Sequence, residues 1–359
     1  MATLFDYIDW RGDLSFSQCE PCEVDSLILS QVCYLDLYRI VPASPTAKGL
    51  SFLAAAKRYV NAHKGEPNSL GAIIPPETVT ITTKAARSAR FGSLRLVAHV
   101  NVISEDEQKQ FSATTFDLGN DSLFIAFRGT DDTIVGWKEC FNMSFMSPIP
   151  AQTEAVEYVY HVAAAMPDKR LYLGGHSKGG NLAVYAAVKA SPMIQDRIAA
   201  VYNLDGPGFT RDFIESEEYA KIKERIHTLV PQTSIVGMLL EHDESYEVVQ
   251  STQSGLLQHN GFSWEVMGNR FIHSDTVTKE SKNIDAKLKQ WLSEITPERR
   301  KEILDTLYEI LDSTNIKTLT ALSAEKLKLV KAWNTLDTES RTFIRRCVTL
   351  IAKNTKGNK

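Results

Sequence analysis

Cysteine is scarce in this chain, with five among 359 residues, at positions 19, 22, 33, 140 and 347. An odd and small number cannot staple a chain this long, which excludes a disulfide framework and points to a reduced, cytoplasmic setting. Long hydrophobic runs are missing as well. No stretch approaches the ~18 uninterrupted apolar residues that a membrane span needs. The opening MATLFDYIDWRGDLSF has no basic segment ahead of an apolar core, so no signal peptide is expected there. Neither sign of charge dominates: 40 Lys and Arg stand against 44 Asp and Glu, for a net charge of −4. That balance excludes a global field recruiting nucleic acid or anionic membrane. Internal repeats and low-complexity tracts are absent. Cys19 and Cys22 form a lone C-x-x-C, and with no second pair or histidine partner a metal site lacks ligands.

What remains is a chain with 43% apolar residues, enough for one large domain with an appendage or for two domains. Its pattern changes along the sequence. VDSLILSQVCYLDLYRI (24–40) and GLSFLAAAKRYVNA read as helices within an N-terminal helical part, residues 1–93. LRLVAHVNVIS, QFSATTFDL and SLFIAFRG are short, rich in β-branched and aromatic residues, and separated by turn signals, as in consecutive antiparallel strands. After Pro150, helix and strand alternate through TEAVEYVYHVAAAM, RLYLGG, GGNLAVYAAVKAS, IAAVYNLDG, RDFIESEEYAKIKERI and HTLVP. Such alternation implies parallel pairing in a layered α/β domain, here residues 1–279. From about residue 280 the character becomes helical. Thr296-Pro297 reads as an N-cap and N1 pair, and Ile303, Leu307, Ile310 and Leu311 share a face. Leu327, Val330, Leu336, Phe343, Ile344, Val348 and Ile351 continue the helical spacing, with Ser323 and Thr338 as caps. Residues 280–359 are therefore expected to form a helical C-terminal region.

The densest chemical signal is LYLGGHSKGGNLAVYAA (171–187). Gly175-His176-Ser177-Lys178-Gly179 is a G-x-S-x-G motif between a predicted strand and a predicted helix, the context of a nucleophile elbow. At such an elbow the serine takes a strained conformation, and side chains two residues away on either side would clash. Neither the dinucleotide G-x-G-x-x-G nor the Walker spacing fits the same glycines. A serine needs a base, and the base an orienting acid, in the order Ser, Asp or Glu, His for this class of fold. Asp205 stands at the end of the strand after the nucleophile helix, where sites in such sheets lie; a turn or capping role for it is the competing reading. Asp243 is the second candidate acid. Among the later histidines, His227 falls within a strand, and His242 lies in a polar turn. His259 hangs in a loop after the last strand-like run and fits the base best, with His273 in reserve. His176 is read as packing or hydrogen bonding.

Upstream, FIAFRGTDDTIVGWKE runs from a buried strand into a polar turn. Thr130 there can offer its N–H and hydroxyl to an oxyanion beside the N–H of Lys178. The segment 131–150 holds Trp137, Phe141, Met143, Phe145 and Met146. It reads either as a mobile apolar flap or as an ordinary helix and loop.

FIAFRGTD…W followed by LYLGGHSKGGNLA resembles class 3 lipases. DYIDWRGDLSF, EVDSLILSQVCYLDL, GWKE, HSKGGNLA, DGPGF, SIVGMLL and QHNGFSWEV look more closely like an uncharacterised bacterial family of lipase-like α/β-hydrolases, over roughly residues 1–275. The resemblance implies a cytoplasmic serine hydrolase with Ser177 as nucleophile, Thr130 and Lys178 at the oxyanion hole and His259 as base. Two departures stand out. Class 3 lipases usually carry an Asp three residues after the tryptophan, where this chain has Cys140. Their triad acid follows the next strand, where PQTSIVG offers Ser234 and no carboxylate. Leu204-Asp205-Gly206-Pro207 instead resembles the acid position of pancreatic-type lipases.

The expectation is thus an α/β-hydrolase-like mixed sheet flanked by helices. Ser177, Asp205 and His259 would cleave a small-molecule or acyl-chain ester or thioester, with no metal or cofactor and no nucleic-acid partner. A non-catalytic binding or scaffold protein on the same fold, and an acyltransferase, are the competing readings. The helical tail reads equally as lid, dimer element or docking arm.

Overall fold

A computed structural model describes residues 1–278 except 47, 66–69 and 72. Beyond these it describes 281–283, 286, 290, 294–312, 316–324, 333, 337, 338, 341, 342 and 345. The N-terminal part is helical: α1 (Leu4–Arg11), α2 (Glu23–Val32), α3 (Phe52–Ala62) after the two-residue strand β1 (Leu50–Ser51), α4 (Glu77–Ala85) and α5 (Ala89–Gly92). Helix α1 starts where the Asp6 carboxylate takes both the N–H and the hydroxyl of Thr3, at 2.8 Å each, satisfying donors that a helix leaves free. Asp25 does the same for α2, taking the Cys22 N–H at 3.0 Å.

Helix α2 stops at Val32, well short of the 24–40 expected. The apolar run continues, but as buried irregular chain, with Cys33, Leu35 and Leu37 all inside the core. Tertiary partners replace helical ones there. The Cys33 thiol donates to Ala126 O (3.1 Å) and the Leu37 N–H to His99 Nε2 (3.3 Å). A uniformly apolar run does not distinguish a buried helix from other buried chain.

Strands β2 (Arg95–Ser104), β3 (Lys109–Asp117) and β4 (Ser122–Phe127) form an antiparallel meander. Then follow α6 (Ile134–Asn142), α7 (Pro150–Ala165), β5 (Arg170–His176), α8 (Lys178–Lys189), α9 (Pro192–Gln195), β6 (Ile198–Leu204), α10 (Arg211–Ile214), α11 (Glu217–Ile222), β7 (Ile226–Pro231) and β8 (Tyr246–Val249). Strands β9 (Val266–Met267) and β10 (Arg270–Phe271) pair as a small hairpin, and β11 (His273–Ser274) closes the edge of the main sheet. That sheet runs β1-β2-β3-β4-β5-β6-β7-β8-β11, parallel from β4 to β8. It is a mixed α/β sheet, covered on one face by a core that includes α2 to α4 and on the other by one that includes α7 and α8. Strands β4 to β7 share one direction, so their carboxyl ends open at one edge. The loops from that edge carry Gly129-Thr130, Ser177, Asp205 and Ser234.

Among the described residues, α12 (Pro297–Asp312) and α13 (Leu319–Ala324) follow. The Thr296 hydroxyl takes the Arg299 N–H at 3.2 Å and caps α12. Ile303, Leu304, Tyr308 and Leu311 of α12 are buried, so Leu304 and Tyr308 belong to a face that spacing alone did not assign. Leu304, Tyr308 and Leu311 meet Ile134 of α6 and Ile316. Ser323, expected as a cap, lies within α13; the Thr318 hydroxyl takes the Ala321 N–H at 3.1 Å instead. The expected apolar positions Leu327, Val330, Leu336, Phe343, Ile344, Val348 and Ile351 lie outside the described residues, as does Cys347.

One buried pair ties the N-terminal helices α1, α2 and α5 to one another. Arg90 grips Asp25 in two-pronged fashion (2.7 and 2.6 Å) and donates to Leu14 O at 2.8 Å, while the Tyr7 hydroxyl adds a 2.8 Å bond to the same carboxylate. Both charged side chains are fully buried, and removing one strands the other in a medium that cannot solvate it. Asp25→Ala is therefore expected to cost about 3–5 kcal/mol of unfolding free energy, measured by urea denaturation. A loss below about 1 kcal/mol, the range of exposed ion pairs, would show that the pair does not hold this part together.

Candidate active site

The turn between β5 and α8 is sharp. Ser177 takes φ 59° and ψ −135°, a left-handed conformation that costs a side-chain-bearing residue energy and persists only when its surroundings impose it. The Ser177 N–H is tied to Leu204 O at 2.9 Å on the neighbouring strand, and α8 begins at the next residue. The flanking glycines are required by contact. A Cβ on Gly175 would stand 2.2 Å from the Gly179 carbonyl carbon, and one on Gly179 would stand 2.2 Å from Phe127 O.

Asp205 leaves β6 with φ 53°, a region that Asp tolerates better than most residues. It is fully buried, and its charge is met from three sides. The His259 Nδ1–H donates to Oδ2 at 2.6 Å, while the Ser234 hydroxyl (2.5 Å) and the Gly237 N–H (3.1 Å) donate to Oδ1. Ser234, which occupies the place where class 3 lipases would put an acid, thus serves Asp205 as a donor. Behind Gly237 lies a second polar cluster. The His242 ring bonds Gly237 O (2.7 Å) and Glu244 Oε1 (3.1 Å). Burial raises the Glu244 pKa, but hydrogen bonds from His242, Thr228 and Tyr219 outweigh it and hold the group at about 2.

His259 ends a short 3₁₀ turn, Gly255–His259. Its loop is pinned by the fully buried Trp264, whose indole N–H donates to Gln258 O at 2.8 Å, and by Gln258 Oε1, which takes the Thr233 N–H at 2.6 Å. His176 adds a third tie: its Nε2–H donates to His259 O at 2.7 Å, and the two imidazole rings lie 4.6 Å apart. The structure therefore joins Asp205 to His259 directly and sets His259 against the residue preceding Ser177. Among the described hydrogen bonds, none links the Ser177 hydroxyl to His259.

Across the elbow, β4 delivers Gly129 and Thr130. A Cβ on Gly129 would fall 2.3 Å from the Tyr34 hydroxyl, 2.7 Å from His176 O and 3.1 Å from Ser177 Cβ, so this strand end is pressed against the serine. The Thr130 hydroxyl is buried and has no hydrogen-bond partner among the described residues. The Arg128–Asp131 ion pair (2.9 Å) brackets the turn. The Lys178 N–H is the first of α8, a position whose donor no helical carbonyl can satisfy. Its side chain turns inward, where the ammonium meets Glu139 at 2.6 Å, both groups without solvent exposure. Of the segment 131–150, residues Ile134–Asn142 are helix α6, capped by the Thr133 hydroxyl and carrying that buried Glu139.

The other candidates lie elsewhere. Asp243 pairs with Lys223 at 2.6 Å on the surface, and His273 sits on β11 between Glu23 (3.5 Å) and Glu247 (2.8 Å). His227 stacks on Tyr202 within the sheet. The C-x-x-C cysteines are separately engaged, Cys19 by Arg11 at 2.8 Å and Cys22 by Tyr7 at 3.3 Å. Among the described residues no group of three or more His, Cys, Asp and Glu is placed to hold a metal. Tyr34, Gln110, Glu139 and Ser234 border the site without having been singled out as functional. Only Ser234, after an apolar strand and in place of an expected carboxylate, left a trace in the sequence.

Burial first, and then neighbouring His259, lower the His176 pKa to about 3. In the unfolded chain it returns to about 6.5. Between these values the unfolded state binds a proton that the folded state refuses, so stability falls as pH drops from 6.5 toward 3. His176→Phe should flatten this part of the stability–pH curve by up to one proton, measured by urea unfolding at stepped pH. An unchanged slope would show that His176 is not held neutral.

Solved structures matched by the chain include lipase II from Rhizopus niveus, with 13% identity, a TM-score of 0.37, and coverage of 66% of this chain and 91% of that one. The Rhizomucor miehei lipase in its propeptide complex shares 17% identity at a TM-score of 0.34 over 45% of this chain, which spans 57% of that structure's length. A triacylglycerol lipase from Penicillium expansum gives 11% identity and a TM-score of 0.35, covering 52% of this chain and 76% of that one. No curated protein matches the sequence. The Mbeg1-like family model matches residues 85–309, which moves the resemblance drawn over 1–275 toward the C-terminus and into the helical tail. With well over half its length inside that match, the chain belongs to the Mbeg1-like family.

Proposed function

We propose that this chain is a serine hydrolase that cleaves carboxylic esters or thioesters through an acyl-enzyme on Ser177. The observation that carries the reading is the buried Asp205 carboxylate 2.6 Å from His259 Nδ1, beside a serine held in a strained strand-to-helix turn. With Nδ1–H committed to Asp205, the free Nε2 of His259 is an acceptor, the tautomer a general base requires. The Ser177 hydroxyl closes on that nitrogen when substrate seats, a contact that commonly tightens only in the reacting complex.

In the first step Ser177 Oγ attacks the acyl carbon as its proton passes to His259. The carbonyl oxygen becomes an oxyanion, met by the N–H groups of Lys178 and Thr130 and by the unpartnered Thr130 hydroxyl. Collapse expels the alcohol or thiol, which takes the proton from His259, and leaves the acyl group on Ser177. Water activated by His259 then reverses the sequence and releases the acid. Asp205 stays ionised throughout and holds the imidazolium, its own charge already steadied by Ser234 and Gly237. Free cysteines at positions 19, 22, 33 and 140 support action in a reduced compartment such as the cytoplasm.

A fluorophosphonate probe tests the proposal. It should modify Ser177, and Ser177→Ala should abolish both labelling and turnover of p-nitrophenyl esters of graded chain length. Wild-type protein that is neither labelled nor active would sink the enzyme reading. Asp205→Asn keeps the shape of the site but favours the wrong imidazole tautomer, so kcat should fall by about 10⁴-fold. A decrease below about tenfold in steady-state assays would remove Asp205 from the triad.

A further inference from the structure

Lys178 has so far contributed only its backbone. Its side chain is the feature that neither the fold nor the proposed chemistry explains. The ammonium is fully buried, and its three hydrogens reach Gln110 O (2.7 Å), Gln110 Oε1 (2.8 Å) and Glu139 Oε2 (2.6 Å). Glu139 also takes the Gln110 N–H (3.1 Å) on Oε2 and the Ala151 N–H (2.8 Å) on Oε1. Gln110 completes the circuit, its Nε2–H directed at Gly129 O at 3.4 Å. All three side chains are shut off from solvent.

Burying an ammonium and a carboxylate is expensive, and apolar residues of the same volume often give equal or greater stability. What the ion pair supplies instead is direction, because each bond has a fixed partner and angle. The cluster touches both sides of the candidate oxyanion pocket. On one side it anchors Lys178, whose N–H heads α8. On the other it holds the Gly129 carbonyl. A trans peptide keeps C=O and the following N–H antiparallel, so a Gly129 carbonyl turned toward Gln110 turns the Thr130 N–H away from it. The Thr130 N–H has no backbone acceptor among the described residues. Through Glu139 the same cluster fixes α6, which begins four residues beyond Thr130, and the first turn of α7.

We infer that the buried Gln110–Lys178–Glu139 cluster is a positioning device for the oxyanion pocket, setting the distance and aim between the Lys178 and Thr130 N–H donors. The inference rests on the hydrolase reading above. These residues touch no reacting atom through their side chains; they act through the two peptides they hold. A purely structural role would leave turnover intact once stability is restored, whereas a positioning role would not.

Three variants separate these roles. Lys178→Met strands Glu139 without its cation and should lower the melting temperature sharply. The double variant Lys178→Met with Glu139→Gln removes both charges and should recover most of that loss. Its kcat should stay about 10–100-fold below wild type, as expected for donors misplaced by an ångström or less, with KM within about threefold because ground-state binding is untouched. Gln110→Glu keeps both acceptors for Lys178 but replaces the donor to Gly129 O with a repelling oxygen. It should likewise lower kcat and slow fluorophosphonate labelling of Ser177 in proportion. A folded double variant with wild-type kcat overturns the inference while leaving the hydrolase reading intact. A wild-type protein whose Ser177 resists the probe overturns both.

Discussion

A carboxylate without solvent must have its charge balanced by donors, and Asp205 is the group around which the carboxyl edge of the sheet is organised. Its partners come from two separate stretches, Ser234 and Gly237 after β7 and His259 from the loop beyond β8, and the His242–Glu244 pair backs Gly237 from behind. Each stretch is fixed because moving it would leave a buried charge unpaired, which costs far more than an ordinary hydrogen bond is worth. The same requirement links fold to proposed function. A histidine whose Nδ1 is committed to a buried acid presents Nε2 as a base, and it does so only if its loop cannot relax.

That loop is held by parts of the chain far apart in sequence. Trp264 and Gln258 brace it locally, and His176 bonds its carbonyl from β5. The N-terminal helices contribute as well. Phe5 of α1 stacks on Phe262 at 6.2 Å, and Ala2 O takes the Val266 N–H at 3.0 Å. Residues 1–84 lie outside the Mbeg1-like match, yet they pack against the stretch just after His259 and form one wall of the core. Arg90, inside the match, clasps Asp25 outside it. The helical N-terminus is thus part of the site's scaffold.

Much of this was legible in the sequence because it is local. Gly175, Ser177 and Gly179 declare a sharp turn, since only glycine fits where a Cβ would lie near 2.2 Å from backbone. The strand endings at Phe127, His176 and Leu204 follow from short apolar runs closed by polar or glycine-rich turns, and they align one edge. Asp205 and His259 follow from chain order along that edge. What stayed hidden is non-local. Gln110 meets Lys178 across 68 residues and Glu139 meets it across 39, and neither position differs in pattern from a solvated strand end or helix face. Tyr34 was absorbed into an expected helix because Cys33–Leu37 is as apolar as α2. Burial there serves the sheet face, and hydrophobicity carries no sign of which backbone shape achieves it.

The same non-local contacts constrain the segment after Thr130. A lid that swings must break few bonds, yet α6 carries the fully buried Glu139 on one side and receives α12 on the other through Ile134, Leu304, Tyr308 and Leu311. The backbone is stitched as well, with Ile134 N–H to Lys317 O and Leu319 N–H to Asp132 O, both at 2.9 Å. Motion confined to the residues between α6 and α7, where Met146 is exposed, would leave all of these bonds in place. Motion of α6 itself would break the ion pair behind Lys178 and disturb the elbow at the same moment. The helical tail, by gripping α6, therefore bears on the Lys178 side of the candidate site through Glu139. Its contribution follows from rigidity at that one helix.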